Sequence, residues 1–284
     1  MTTITTVLEM QAYVEAARRA GKSVGCVPTM GALHAGHASL VTFAAAKHDV
    51  VVTSIFVNPT QFGPGEDYDA YPRNLERDIA IVEQAGGAVV FAPTVAEMYP
   101  NGPNTTIHVG GVTEMLEGAS RLGHFDGVAT VVCKLFEAMR PDEAYFGQKD
   151  FQQTLVVKRM TEDLLIPVTI TVLPTLRESD GLAMSSRNAY MNADEREQSR
   201  IISKALFAAR DLAKKGENRS AILQETMTSI LSTVSNFIVE YAVAAEAVTL
   251  ESKPTFSATS DIVLLIAGRL GRTRLIDNVI VSRT

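Results

Sequence analysis

The chain has 284 residues, of which 46% are hydrophobic, and carries a formal net charge of −6. That length allows one large domain or two ordinary ones, with ample apolar side chains for a core. Acidic and basic residues are mixed along the chain without a basic block, which argues against a nucleic-acid binder, and no apolar run approaches the roughly 20 residues that span a bilayer.

Leu8 to Arg19 has helical spacing, with Leu8, Ala12 and Ala16 on one face and Gly21 as a stop. Val24 to Val27 reads as the first strand. It runs into Pro28-Thr29-Met30-Gly31-Ala32-Leu33-His34-Ala35-Gly36-His37, and a helix is expected from about Gly36 to Lys47. Two histidines three residues apart at a strand-to-helix turn would share one face. The unpaired N–H groups of a helix start form an anion site, to which imidazoles add further donors. The same segment is also compatible with an ordinary glycine turn. A zinc pair fits less well, because no Cys, Asp or Glu lies nearby to complete it.

Val50 to Val57 is apolar on both faces, as a central parallel strand is, so strand–helix–strand here predicts a right-handed βαβ unit. It ends in Asn58-Pro59-Thr60-Gln61. Substrates collect at the carboxyl ends of parallel strands, so the two amides are candidate ligand holders; the competing reading is that Asn-Pro simply ends the strand. A polar loop enters a helix over Asn74–Gln84, Ala88–Phe91 is a third strand, and Ile107–Val109 is expected as a short strand. Glu114–His124 shows no periodicity and stays open between a solvated helix, a loop and a site. Phe125-Asp126-Gly127 opens a buried helix, Val128–Met139.

Glu143–Phe146 is the next strand, followed by Gly147-Gln148-Lys149-Asp150 and a helix. Lys149 is thereby placed at the strand rim, as a phosphate ligand or a solvated lysine, and Asp150 as a helix cap. Val168–Val172 is a fifth strand. The loop Leu176–Asn188 brings Met184, Ser185, Ser186 and Arg187 together: two hydroxyls beside a guanidinium suit phosphate oxygens and equally a helix cap. Beyond it come a charged helix over 194–215, a helix over Ser220–Val234, and strands at Phe237–Ala245, Asp261–Leu270 and Thr273–Val281. The expected fold is α/β: a Rossmann-like doubly wound parallel sheet over residues 1–175, with a smaller C-terminal α+β domain over 176–284. Cys26 and Cys133 fall in apolar segments, and Met1–Thr6 has no export-signal pattern, so the expected setting is the reducing cytoplasm.

Four segments, PTMGALHAGH at 28–37, NPTQF at 58–62, GQKDFQQ at 147–153 and DGLAMSSRN at 180–188, closely resemble the pantothenate synthetase (pantoate–β-alanine ligase) family. Tyr71-Pro72-Arg73 and the ending Leu270-Gly271-Arg272-Thr273-Arg274-Leu275-Ile276-Asp277-Asn278 fit it too. The HxGH and MSSR segments also resemble the wider nucleotidyltransferase superfamily. The resemblance implies an ATP-dependent ligase that adenylates pantoate and passes the acyl group to β-alanine. It implies Mg²⁺ with the ATP, small-molecule partners only, and a homodimer whose smaller domain helps close the site. It makes His34, His37, Lys149 and Arg187 the catalytic group. The ATP site would comprise Met30, Gly31, Ala32, Leu33, His34, Ala35, Gly36, His37, Gly147, Gln148, Lys149, Asp150, Leu176, Met184, Ser185, Ser186 and Arg187. Gln61 and Gln153, joined by Thr29 and Asn58, would hold pantoate and β-alanine. No metal ligand is implied for the protein itself. One departure is visible: the family usually has glutamate where this chain has Gln148, a loss of charge at constant size.

Overall fold

The computed structural model describes residues 1–283. Contact density divides the chain into two compact units. The first comprises Met1–Gln148 and Gln152–Pro174; the second comprises Lys149–Phe151 and the chain from Thr175 onward. The three-residue piece Lys149–Phe151 thus groups with the C-terminal unit, which a single cut near residue 175 does not anticipate.

In the first unit the strands are β1 (Thr2–Ile4), β2 (Val24–Thr29), β3 (Val50–Ile55), β4 (Val89–Phe91), β5 (Glu143–Gly147) and β6 (Thr169–Leu173). They form one parallel sheet in the order β1-β4-β3-β2-β5-β6. Its helices are α1 (Val7–Arg19), α2 (Ala35–Ala45), α3 (Leu75–Gln84), α4 (Val95–Met98), α5 (Glu117–Ser120), α6 (His124–Met139) and α7 (Phe151–Asp163). Alternation along the strands shows why the sheet is covered on both faces. Val50, Val52, Val89, Phe91, Ala144 and Phe146 enter one core, while Val51, Val90 and Tyr145 enter the other. Strand order reverses between β2 and β5. In a doubly wound sheet the crevice for ligands opens there, beyond the carboxyl ends of the two strands.

The second unit contains α8 (Ala193–Gln198), α9 (Ile201–Lys214) and α10 (Ser220–Leu231), followed by the antiparallel sheet β7 (Phe237–Glu246), β8 (Ile262–Leu270) and β9 (Thr273–Val281). Leu206 and Leu223 of the helices share a buried core with Leu264, Ile266 and Leu275 of the sheet.

Three expectations need correction. Ile107–Val109 is not a strand: the Ile107 N–H is taken by the Thr130 hydroxyl at 2.9 Å, so no ladder forms. The helix expected over 194–215 breaks between Gln198 and Ile201, where the Ile202 N–H bonds to the Ser199 carbonyl and the buried Ser199 hydroxyl turns back to the Arg196 carbonyl. The helix placed at Val128–Met139 begins at His124, after Gly123 in the left-handed region. Among the described residues no helix is long and apolar enough to cross a membrane.

Candidate active site

At the end of β2 the chain makes a tight loop with two consecutive left-handed residues, Gly31 (φ +85°) and Ala32 (φ +50°). One buried carboxylate holds it. Asp78 of α3, 1% exposed, accepts the Ala32 N–H at 2.9 Å and the Leu33 N–H at 2.8 Å. A side chain at Gly31 would press on this clamp, since a Cβ there lies 3.0 Å from Asp78 Oδ2. Thr29 faces inward: its hydroxyl donates to the Ser54 carbonyl at 2.6 Å and accepts the Gly31 N–H at 3.2 Å. Both of its bonds shape the loop.

The loop delivers His34 as the N-cap of α2. Its Nδ1 accepts the Gly36 N–H at 3.1 Å, and the His34 N–H donates to His37 Nδ1 at 3.3 Å, a reciprocal cap that brings the ring centroids to 4.1 Å. Both Nδ1 atoms act as acceptors, so each neutral ring carries its proton on Nε2. The head of α2 therefore places two imidazole Nε2–H groups at the positive end of the helix, an arrangement suited to phosphate oxygens.

After β3, Asn58 caps a 3₁₀ turn, Pro59–Gln61. Asn58 is 1% exposed and fully engaged. Its Nδ2 donates to Gln61 Oε1 and the Gly127 carbonyl, and its Oδ1 accepts from Thr60 and Tyr99. These hydrogen bonds orient the Gln61 side chain. The Gln61 Nε2 rests on Met30 Sδ at 3.2 Å, a weak acceptor that a ligand oxygen would displace readily. The turn sits directly on α6, because a Cβ at Gly127 would stand 2.4 Å from the Thr60 carbonyl oxygen.

The segment that showed no periodicity supports this turn from the other side. His124 Nδ1–H donates to the Gln61 carbonyl at 2.8 Å, and its Nε2 accepts from Arg121 at 3.0 Å. Burial, reinforced by the Arg121 charge, pushes the His124 imidazole down to about 4. Arg121 in turn grips Glu66 with two bonds of 2.7 Å. Burial alone would raise the Glu66 carboxyl, but those bonds and the Arg121 charge outweigh it and hold the group below its usual range. Leu116 lies between, at φ 50°, ψ −116°, a conformation that costs about 1–3 kcal/mol for a residue with a side chain. Gln152, 3% exposed, fixes it: its amide accepts the Glu117 N–H and donates to the Met115 and Val112 carbonyls. The next residue, Gln153, is half-buried, and its amide makes no hydrogen bond among the described residues.

In the second unit Lys149 lies in a 3₁₀ turn, Gln148–Asp150, with a side chain 19% exposed and its ammonium 3.8 Å from Asp150. Leu176 opens a short hairpin: the Met184 N–H bonds to the Leu176 carbonyl at 3.1 Å and the Glu178 N–H to the Leu182 carbonyl at 2.8 Å. Arg177 anchors the hairpin on Asp277 of β9 with bonds of 2.6 and 3.0 Å. Burial pushes the Asp277 carboxyl up, against the pull of Arg177. The hairpin leads to Ser185, whose Oγ accepts the Arg187 N–H and so caps the 3₁₀ turn Ser186–Tyr190 that carries Arg187.

Against known proteins, the family profile described as Pantoate-beta-alanine ligase matches residues 2–280. The chain belongs to the pantoate–β-alanine ligase family. A curated relative named Pantothenate synthetase, from Moorella thermoacetica, is 49% identical over 282 residues, covering 99% of each chain. A solved pantothenate synthetase from Thermus thermophilus superposes with a TM-score of 0.93 at 45% identity, covering 99% of this chain and 100% of that one. A Francisella tularensis pantoate-beta-alanine ligase, solved in complex with Beta-gamma ATP and Beta-alanine, gives a TM-score of 0.80 at 32% identity over 99% of this chain and 97% of that one. Of the residues expected to form the site, the first unit carries Thr29 through His37, Gln61, Gly147, Gln148 and Gln153, and the second carries Lys149, Asp150, Leu176 and Met184 through Arg187. Sequence reading missed Asp78 and Gln152, which hold backbone, and left Arg121 and His124 in a segment whose role stayed open.

Proposed function

We propose that this chain joins (R)-pantoate to β-alanine at the expense of ATP, through a pantoyl-adenylate intermediate, yielding pantothenate, AMP and pyrophosphate. The observation that carries the reading is the reciprocal histidine cap at the head of α2, in a chain matched by the ligase family from residue 2 to residue 280.

In the first step a pantoate carboxylate oxygen bonds to the α-phosphorus as its bond to the bridging oxygen of pyrophosphate breaks. Nucleophile and electrophile are both anionic, so the barrier lies in repulsion and alignment, and catalysis is positioning plus fixed donors. A carboxylate needs no base to attack. His34 and His37 act as Nε2–H donors to phosphate oxygens, and this follows from the commitment of each Nδ1 to a backbone N–H. Lys149, Ser185, Ser186 and Arg187 take the charge that builds on the leaving pyrophosphate. Gly147, Gln148, Asp150, Leu176 and Met184 belong to the ribose and adenine side. Gln61 and Gln153 hold pantoate, whose hydroxyls and carboxylate match amide donors and acceptors. In the second step the β-alanine amine bonds to the acyl carbon, AMP leaves with the acyl oxygen, and the nitrogen gives up a proton. A Mg²⁺ would be carried by polyphosphate oxygens and water. There it would neutralise charge on the leaving group. The reading also carries a homodimer and a cytoplasmic setting.

The test is product analysis with all three substrates. Equimolar AMP and pantothenate support the proposal; ADP in place of AMP, or no pantothenate, overturns it. His37→Ala and Lys149→Ala should each slow adenylation by about 100-fold or more with unfolding midpoints near wild type. Gln153→Ala should raise the pantoate KM, and an unchanged pantoate dependence would remove Gln153 from the site.

A further inference from the structure

The ending Leu270–Asn278 was tied to the family by sequence, yet none of its residues is used in the chemistry above. In β9 two consecutive polar residues, Asp277 and Asn278, are 4% and 2% exposed between the apolar pairs Leu275-Ile276 and Val279-Ile280. Its neighbour in the sheet, β8, runs Ile262-Val263-Leu264-Leu265-Ile266-Ala267 without a polar side chain. Burying a carboxylate and an amide costs free energy unless they are satisfied. Both are satisfied, and on opposite faces, as strand alternation requires. Asp277 takes the Arg177 guanidinium, which also donates to the Gly181 and Asn278 carbonyls at 3.1 Å each. The Asn278 side chain points the other way, and its Nδ2 donates to the main-chain carbonyl of Lys149 at 2.8 Å.

We propose that Asn278 is a positioning residue for Lys149: its amide holds the lysine's carbonyl and so fixes the backbone from which the ammonium reaches the phosphates. This rests on the role given to Lys149 above. Several features support it. Lys149–Phe151 groups with the C-terminal unit although it directly follows β5. The turn that carries the lysine is a single 3₁₀ turn of three residues, Gln148–Asp150. The same strand, through Asp277 and Arg177, anchors the hairpin that leads to Ser185, Ser186 and Arg187. One strand thus sets the backbone of both phosphate-contacting segments of this unit. A displacement of about 1 Å at a reacting group costs on the order of 100-fold in rate.

The experiment is pantoate-dependent exchange of labelled pyrophosphate into ATP, with urea unfolding run alongside, for wild type, Asn278→Ala, Asn278→Asp and Lys149→Ala. Asn278→Ala should lower the exchange kcat by about 10- to 100-fold while the pantoate KM stays within about twofold. Asn278→Asp keeps the shape, but its ionised carboxylate offers the Lys149 carbonyl only acceptors. Its exchange kcat should therefore fall about as far as that of Asn278→Ala, with the pantoate KM again within about twofold. With Lys149→Ala inactive, the inference is overturned by an exchange kcat within about twofold of wild type in Asn278→Ala or in Asn278→Asp. The isosteric variant decides the matter if Asn278→Ala does not fold. Normal exchange in Lys149→Ala would instead remove the lysine's own role, and the inference with it.

Discussion

The loop that presents His34 depends on one carboxylate, and Asp78→Asn probes it at constant size. Asp78 accepts two backbone N–H groups, at 2.9 and 2.8 Å, from a position 1% exposed. A bond from a neutral donor to a buried charge contributes about 1.5–3 kcal/mol. The asparagine keeps one neutral acceptor and turns an NH₂ toward the second N–H, so one bond is lost and the other weakened. The expected loss is about 2–4 kcal/mol out of a total stability of about 5–15 kcal/mol. The damage is also local. Ala32 at φ +50° costs about 1 kcal/mol on its own, so without the clamp the loop relaxes and the histidine cap shifts with it. Urea unfolding should show the lost stability, and pyrophosphate exchange should fall by at least about tenfold. A variant that loses less than about 1 kcal/mol and exchanges normally would refute both the clamp and its link to the site.

Gly127→Ala should push the Gln61 turn off α6, because the new methyl would sit 2.4 Å from the Thr60 carbonyl oxygen; the expected result is a loss of about 1–3 kcal/mol in urea unfolding with a raised pantoate KM. Asn58→Ala should raise the pantoate KM about tenfold by releasing the Gln61 amide, and an unchanged KM would contradict the orienting role. His124 gives a pH signature. Its folded-state value, about 4, lies below the unfolded value of roughly 6.5, so the unfolded chain binds the extra proton. Stability from this group is complete above about pH 6.5 and declines by about 3 kcal/mol as pH falls to about 4. Urea midpoints across that range should slope less in His124→Asn, whose amide can still donate to the Gln61 carbonyl.

The sequence exposes the parallel sheet because β2 and β3 are apolar on both faces and are joined by a helix of fitting length. β1 escapes notice: three residues at a sheet edge carry no periodicity. Ile107–Val109 has strand composition but lacks a partner, and pairing is a tertiary property. In the site, residue type shows which side chains can bind a ligand but not which are already engaged. Asn58 and Gln61 look alike in sequence, yet Asn58 saturates its own amide to steer its neighbour. Gln152 and Gln153 are adjacent on α7, roughly 100° apart around the helix, so one turns inward to clamp Leu116 while the other keeps its amide. Asp78 did leave a signal, since it shares a helical face with the buried Val82 four residues on. The stretch around Leu116, with its left-handed backbone, left none, because irregular backbone held by one side chain has no period to read.

The measurement that bears most directly on the account is pyrophosphate–ATP exchange with pantoate present and β-alanine absent. Exchange that requires pantoate is the predicted result, since it reports reversible formation of an acyl adenylate before the amine takes part. Absence of exchange, with AMP released only once β-alanine is added, would contradict a separate adenylation step and the roles assigned to His34, His37 and Lys149 within it.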